Sequence, residues 1–225
     1  MSRPQVVTAR RLGEVVAALE AGQAIAVPGD GGYQLAVCHS HPAALAGLRG
    51  RTGGGAGDVP LHIMVGRRAQ AVALTAEWSK ETSTVTDRMW PGPLTIIVPA
   101  LAGVDPGRTD VEEVLVHLTM PAWRPLRALC RRSGPLAVVA LRRTEGGPLL
   151  SADEVGPHLV DQDVAFVVDG GRCRGPGPTV VDCTESPPLV RRVGVLPESY
   201  VEAALLMGRR RRSRFARRSG PTAPS

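Results

Sequence analysis

The stretch AVPGDGGYQLAV, residues 26–37, has the form of a loop that brings main chain close to a ligand. An apolar, β-type run enters it, glycines stand at Gly29, Gly31 and Gly32, and Tyr33 and Leu35 lead out. Glycine lets backbone approach a bound group because no Cβ intervenes. It supplies neither hydroxyl nor charge, so the loop has the backbone path of a binding site without the side chains that would do its chemistry. Other patterns that carry chemistry are missing from the sequence. GGGAGD at 53–58 lacks the G-K-[ST] ending of a phosphate loop, and no G-x-G-x-x-G links a strand to a helix. A G-x-S-x-G nucleophile elbow is absent too. Cys38-His39-Ser40-His41 holds metal-ligand residue types, but its place before Pro42 reads as a strand end running into a loop. His117 sits in a β run and reads as structural, not as a catalytic base.

The elements that must position these residues alternate along the chain. Thr8 can cap a helix whose stripe is Leu12, Val15, Val16 and Leu19, ending at Gly22. Strands are expected at Ala24–Val27, Leu61–Val65, Leu94–Val98, Val114–Leu118, Leu136–Leu141, Val164–Val168, Thr179–Asp182 and Leu189–Val195. Helices are expected after Pro42, in two pieces over 67–90, at Pro121–Arg131, and from Pro197 to about Met207. Strands mixed with helices from end to end, with no linker, predict one α/β domain over residues 1–208. Beyond Gly208 the apolar periodicity stops, which predicts a disordered arginine-rich tail over 209–225.

Bulk properties narrow the class. The chain has 225 residues and 43% hydrophobic content, ordinary for a globular protein with a sizeable core. No apolar run approaches the roughly 20 residues of a membrane span, and MSRPQVVTARR has no apolar leader. The four cysteines, Cys38, Cys130, Cys173 and Cys183, show no C-x-x-C spacing and read as reduced thiols in the cytoplasm. Of the 27 basic residues only Lys80 is a lysine. Seven arginines lie in RRRRSRFARR at 209–218, and removing them from a net charge of +6 leaves −1 for the rest. The basic character therefore belongs to the tail.

An ordered series of short motifs says more. After P-G-D-G-G-Y-Q-L come L-R-G-R at 48–51, V-P-L-H-I-M-V at 59–65, W-P-G-P-L-T at 90–95 and L-T-M-P at 118–121. P-L-A-V-V-A-L-R-R-T-E-G at 135–146, V-V-D-G-G at 167–171, G-P-T-V-V-D-C at 177–183 and R-V-G at 192–194 complete it. The series resembles the YrdC family, the threonylcarbamoyl-adenylate synthases of tRNA modification, over about residues 8–198. The family pattern runs P-T-[DE]-T-x-Y-G-L, K-x-R-P, H-P-L, P-G-P-x-T, R-x-P, S-A-N-x-S-G, D-G-G, S-T-[VI]-[VI]-D and R-x-G.

That resemblance implies a single-domain fold with a twisted mixed sheet, flanked by helices around a large basic cavity. It implies chemistry in which threonine and bicarbonate form a carbamate that attacks the α-phosphorus of ATP, with Mg2+ accompanying the nucleotide. By the same resemblance, Arg49, Arg51, Arg143, Thr179 and Arg192 would face the nucleotide, and Asp30, Gly31, Tyr33 and Thr119 the substrate. No catalytic side chain is implied. Partners would be a nucleotide or other anionic small molecule, and tRNA or other nucleic acid, including through the tail, with no membrane.

The departures from the pattern cluster. Gly29 and Gly31 replace both threonines of the opening motif, Gly32 replaces a branched residue, and Gln34 replaces a glycine. Arg49 and Arg51 stand for K-x-R, Val59 for the histidine of H-P-L, and Thr119 for the arginine of R-x-P. Leu141, Arg142 and Arg143 stand for S-A-N, and Pro178 for the serine before Thr179. Ser151-Ala152-Asp153 is a helix start, not a displaced S-A-N. Positive charge is thus kept where phosphate would lie and lost where a threonine carboxylate would be clamped. Two lost hydrogen bonds to charged groups would cost roughly 3–6 kcal/mol, or about 10²–10⁴ in affinity. Arg142 and Arg143 could rebuild the clamp or fill the pocket. Three readings follow: a divergent paralogue that binds nucleotide or RNA without the usual threonine site, an active synthase with rebuilt contacts, or a non-catalytic interaction protein acting through its basic tail.

Overall fold

Apolar runs scattered through the sequence pair into one mixed sheet in the computed structural model, which describes residues 3–50, 62–104, 114–160 and 162–216. Its strands are β1 (Gln5–Val7), β2 (Ala24–Pro28), β3 (Tyr33–Cys38), β4 (His62–Met64) and β5 (Leu94–Pro99). They continue with β6 (Leu115–Thr119), β7 (Leu136–Ala140), β8 (Val164–Val168), β9 (Thr179–Asp182) and β10 (Leu189–Arg192). The order across the sheet is β1-β8-β2-β3-β7-β4-β6-β5-β9-β10. Helices α1 (Leu12–Glu20), α2 (Pro42–Gly50), α3 (Arg68–Val72), α4 (Lys80–Met89), α5 (Arg124–Ser133), α6 (Ala152–His158) and α7 (Glu198–Ala216) flank it. The fold is a single α/β domain.

Both faces of the sheet are covered, which is why an inner strand such as Val164–Val168 reads as an unbroken apolar run. On one face, Ile63, Ile96, Leu118 and Val181 pack with Val85 and Met89 of α4 and Val201 of α7. Leu35 and Ala137 of the same sheet pack with Leu45 and Leu48 of α2 and Val155 of α6. The other face is covered by α1 and α5, whose Val15, Leu19, Leu126 and Leu129 meet Ile25, Val27, Met64, Leu136 and Val138.

Register then fixes a polar row on that second face. His62 of β4 stands opposite Val138 of β7 and His117 of β6. His117 stands opposite Ile97 of β5, and Ile97 opposite Asp182 of β9. Directly opposed residues share a face of a pleated sheet, so His62, His117 and Asp182 line up together.

Several boundaries differ from the sequence expectation, each for a local reason. Thr8 makes no capping hydrogen bond; residues Ala9–Arg11 form a 3-10 turn and α1 starts at Leu12. The helix expected from Pro121 begins at Arg124, because Trp123 is its extended cap residue and proline occupies the first turn. The last helix, expected to end at about Met207, continues as α7 to Ala216. Arginine and alanine are good helix formers, and elongation is cheap once a turn exists. The GGGAGD loop, Arg51, Val59 and Leu61, and residues 217–225 of the tail, lie outside the described residues. Among the described residues no helix is long and apolar enough to cross a membrane.

Candidate ligand-binding site

The loop between β2 and β3 is a tight hairpin, closed by Gly29 N–H donating to the Gly32 carbonyl at 2.9 Å. Its glycines are packed against neighbours. A Cβ on Gly31 would lie 2.9 Å from the Gly177 Cα and 3.1 Å from its nitrogen. A Cβ on Gly29 would lie 2.7 Å from Gln34 Nε2. Gln34 thus fills the room that a side chain at position 29 would need. The two glycines and the glutamine belong to one rearrangement, and a threonine fits at neither position without displacing main chain or Gln34.

Tyr33 anchors this loop. It is fully buried, its phenol donates to the Gly171 carbonyl at 3.2 Å, and it accepts from Gly170 N–H at 3.3 Å. Burial pushes its pKa up to about 12, so it stays protonated and acts as a brace. The brace ties the hairpin to the D-G-G segment after β8, and that segment carries the chain on to Gly177 and β9.

Thr179 and Thr119 are engaged structurally. The Thr179 hydroxyl donates to the Leu196 carbonyl at 2.7 Å and accepts from Gly194 N–H at 2.9 Å and Leu196 N–H at 3.1 Å. One donor and two acceptor positions are all a hydroxyl has, so nothing of Thr179 is left for a phosphate. Thr119 is 6% exposed and its hydroxyl donates to the Leu94 carbonyl at 3.1 Å. A buried, neutral hydroxyl already in use is no carboxylate clamp.

The arginines divide. Arg49 lies near the end of α2, half-buried, with its Nε and Nη2 atoms out of solvent. Arg192 is exposed, donates to the Pro178 carbonyl at 3.0 Å, and so borders the contact between Gly31 and Gly177. Arg143 turns instead to the start of α6, where its Nη2 donates to Glu154 Oε2 at 2.7 Å. Arg172 donates to the other oxygen at 2.9 Å, and Leu150 N–H to Oε2 at 2.9 Å. That amide, followed by the two guanidiniums, holds the Glu154 carboxyl below its usual range against a desolvation penalty. Arg142 forms an isolated bridge with Pro148. Gly31, Thr179 and Arg192 are therefore brought together around 177–178, while Arg143 is drawn to Glu154.

The tertiary structure assembles two groups whose members sequence reasoning did not join. His62 and His117 meet on the second sheet face, with His117 Nδ1 3.3 Å from His62 Nε2 and ring centroids 4.8 Å apart. Burial, then His117 and Arg192, push His62 down to about 4; burial likewise lowers His117, opposed by Asp182. Both are neutral near pH 7, one donating to the other, which agrees with the structural reading of His117. Their pairing needs the register of β4 on β6, which no local pattern announces.

The second group surrounds Asp30. Pro28, Asp30, Pro121, Trp123, Arg172 and Cys173 help to line a cavity of about 180 Å3. This is a small hollow with an acid in its wall. Burial raises the Asp30 carboxyl above its usual range and does the same to the Cys173 thiol. All four cysteines are buried, unpaired thiols.

Comparison with known proteins bears on these observations. Residues 17–194 match the family model Sua5_yciO_yrdC, described as "Telomere recombination". A threonylcarbamoyl-AMP synthase of Bacillus subtilis is 29% identical over 149 residues, covering 66% of this chain and 43% of that protein. A putative threonylcarbamoyl-AMP synthase of Mycobacterium tuberculosis is 27% identical over 199 residues, covering 88% of this chain and 90% of that one. Among solved structures, Sua5 of Pyrococcus abyssi complexed with L-threonine superposes with a TM-score of 0.79 at 26% identity. That match covers 90% of this chain and 61% of Sua5. The chain thus spans less than two thirds of the Bacillus and Pyrococcus proteins.

Proposed function

The chain belongs to the Sua5/YciO/YrdC family, and from that premise we propose that it is a divergent member which binds a nucleotide but no longer grips threonine in the family's way. The observation that carries this reading is the contact of Gly31 with Gly177, where a Cβ would come within 2.9 Å of main chain. A Cβ at position 31 would meet the backbone of Gly177, and position 119 offers a buried, engaged hydroxyl in place of a cation.

The nucleotide side is supported differently. Guanidinium groups remain at positions 49, 51 and 192, and each can fork onto phosphate oxygens through charge-assisted hydrogen bonds. Mg2+ would arrive with the triphosphate, since that ion takes most of its ligands from phosphate and water. The chain's own part is to place and neutralise the phosphates. Thr179 serves this indirectly by tying the 194–196 turn, next to Arg192, onto β9.

The test is a pair of measurements on the full chain. ATP with Mg2+ raises the melting temperature, and Arg49→Ala combined with Arg51→Ala removes the shift. L-threonine gives no shift, and no pyrophosphate is released with threonine, bicarbonate and ATP together. Threonine-dependent pyrophosphate release would overturn the loss of the threonine site. Absence of an ATP shift in the unmutated protein would overturn nucleotide binding.

A further inference from the structure

Helix α5 carries a row of cations that folding does not require. Its sequence, RPLRALCRRS, holds four arginines and no acid. Leu126, Leu129, Cys130 and Ser133 form its buried face. At about 100° per residue, Arg124, Ala128 and Arg131 then point the opposite way, with Arg127 and Arg132 on the flanks. Arg124 stands in the first turn, where the positive end of the helix dipole disfavours a cation. An exposed Arg67 adds to the row, because Gly66 lies against the Arg127 carbonyl and the Arg131 stem. Gln70 holds that turn in place, accepting from Gly66 N–H at 2.8 Å and donating to the Cys130 carbonyl at 2.6 Å.

These charges are close together and uncompensated. The Arg127 guanidinium is lowered from its ordinary range by desolvation, then by the charges of Arg131 and Arg124. It is pinned by the Pro121 carbonyl at 2.8 Å and by the Ala122 carbonyl, and Arg131 Nη1 reaches the Gly66 carbonyl at 3.4 Å. Acids take up arginines elsewhere: Arg11 meets Glu14, Arg68 meets Asp87, Arg143 and Arg172 meet Glu154, and Arg191 meets Asp182. Among the described residues no acid pairs with Arg67, Arg124, Arg127, Arg131 or Arg132. Like charges held side by side work against the fold, and an anionic partner outside the domain would offset that cost.

The shape of the row selects among anionic partners. Arg124 and Arg131 stand roughly 10 Å apart along the helix axis, with the small Ala128 between them. Carboxylates at i, i+3 or i+4, and i+7 of a second helix have the same spacing, and guanidinium forks match carboxylates. A single-stranded nucleic acid is held by bases stacked on aromatic rings. Neither α5 nor residues 66–72 carry one, and the Trp123 ring lies against Gly170, where a Cβ would come within 3.1 Å of it. A lipid surface takes up large apolar side chains beside the charges, and the solvent side of α5 has only Pro125 and Ala128. We propose that the solvent face of α5, together with Arg67, is a docking surface for an acidic helical segment of a partner protein. It is independent of the nucleotide reading and uses none of those residues.

The probe is an alanine-based helical peptide with glutamates at i, i+3 and i+7 along one face and a benzophenone at its end, added to the full chain. After photolysis, cross-links are mapped by mass spectrometry, which reads α5 separately from the arginines at 209–218. Cross-links are expected on α5 and residues 66–72, fading as salt rises. A peptide of the same composition, with glutamates spread around the helix, gives about tenfold fewer there. Arg124→Glu with Arg131→Glu lowers them by about the same factor and accepts instead a peptide with lysine for glutamate, while the parent's response to ATP is unchanged. Should that variant not fold, the two glutamate peptides on the unmutated chain still decide. Excess oligouridylate is expected to clear cross-links from 209–218 and to leave those on α5. Clearing both equally would make this a surface for phosphate backbones, and clearing of α5 by phosphatidylserine vesicles would make it one for lipid. Either result overturns the proposal, as do cross-links confined to 209–218, indifference to glutamate placement, or no cross-links at all.

Discussion

A single position, Gly31, shows how far the opening loop has moved from a threonine-bearing pattern. Replacing it by threonine drives a Cβ to 2.9 Å from the Gly177 Cα, a contact that main chain on both sides must relieve. Overpacking of this kind costs about 1–3 kcal/mol. Gly31→Thr is therefore expected to lower stability by that amount in urea denaturation and to give no heat of threonine binding in calorimetry. A variant as stable as the parent that binds threonine would show that the loop has room. The residue pattern told part of this. The missing hydroxyls at positions 29 and 31 are plain in the sequence, but that Gln34 fills the space at 29 depends on how the hairpin closes. Trp123, Arg172 and Cys173 gave no signal, because they come from separate segments that only the tertiary path brings to Asp30.

At the scale of elements, the helix α6 shows what local sequence does and does not determine. Ser151 accepts from Glu154 N–H, and Glu154 reaches back to Leu150 N–H, so S-x-x-E acts as a capping box displaced by one residue. Ser151→Ala is expected to cost about 0.5–1 kcal/mol, read as a lower melting temperature, with the ATP response unchanged. Loss of the ATP response would mean that the start of α6 contributes to the nucleotide site. The bounds of β8 and β9 agree with the sequence expectation because buried, β-branched runs with turns on both sides leave little choice. The start of α5 was misjudged by three residues. Proline at 121 reads like a helix opener, yet the helix does not start until after the extended Trp123, whose ring packs near Gly170 and Pro28. Tertiary packing there overrides a local stop-and-start signal.

For the molecule as a whole, charge sets two behaviours. The arginines at 209–218 confront a remainder of net charge −1, so nucleic-acid affinity should reside in that segment. Weak binding to an arbitrary RNA is expected, falling steeply as salt rises, and truncation after Gly208 should remove it in fluorescence anisotropy. Unchanged affinity in the truncated protein would place the contact on the domain.

The second behaviour is loss of stability in acid. His62 has a folded pKa of about 4 against an unfolded 6.5, so between those values the unfolded chain binds more protons than the folded one. Stability contributed by the neutral ring is thus fully present above about pH 6.5 and is lost as pH falls toward 4, with His117 acting in the same direction. The His62 share is on the order of 2–3 kcal/mol across that window. Asp30 works the other way. Its carboxyl is raised in the fold by partial burial, so protonation relieves a half-buried charge and offsets part of the loss at the acid end. Urea denaturation from pH 7 to 4 should therefore show a steady fall in stability that flattens in His62→Gln and steepens in Asp30→Asn. The opposite slopes identify which buried group each part of the profile belongs to. A pH profile that is the same in all three proteins would mean that neither group is desolvated as the fold describes.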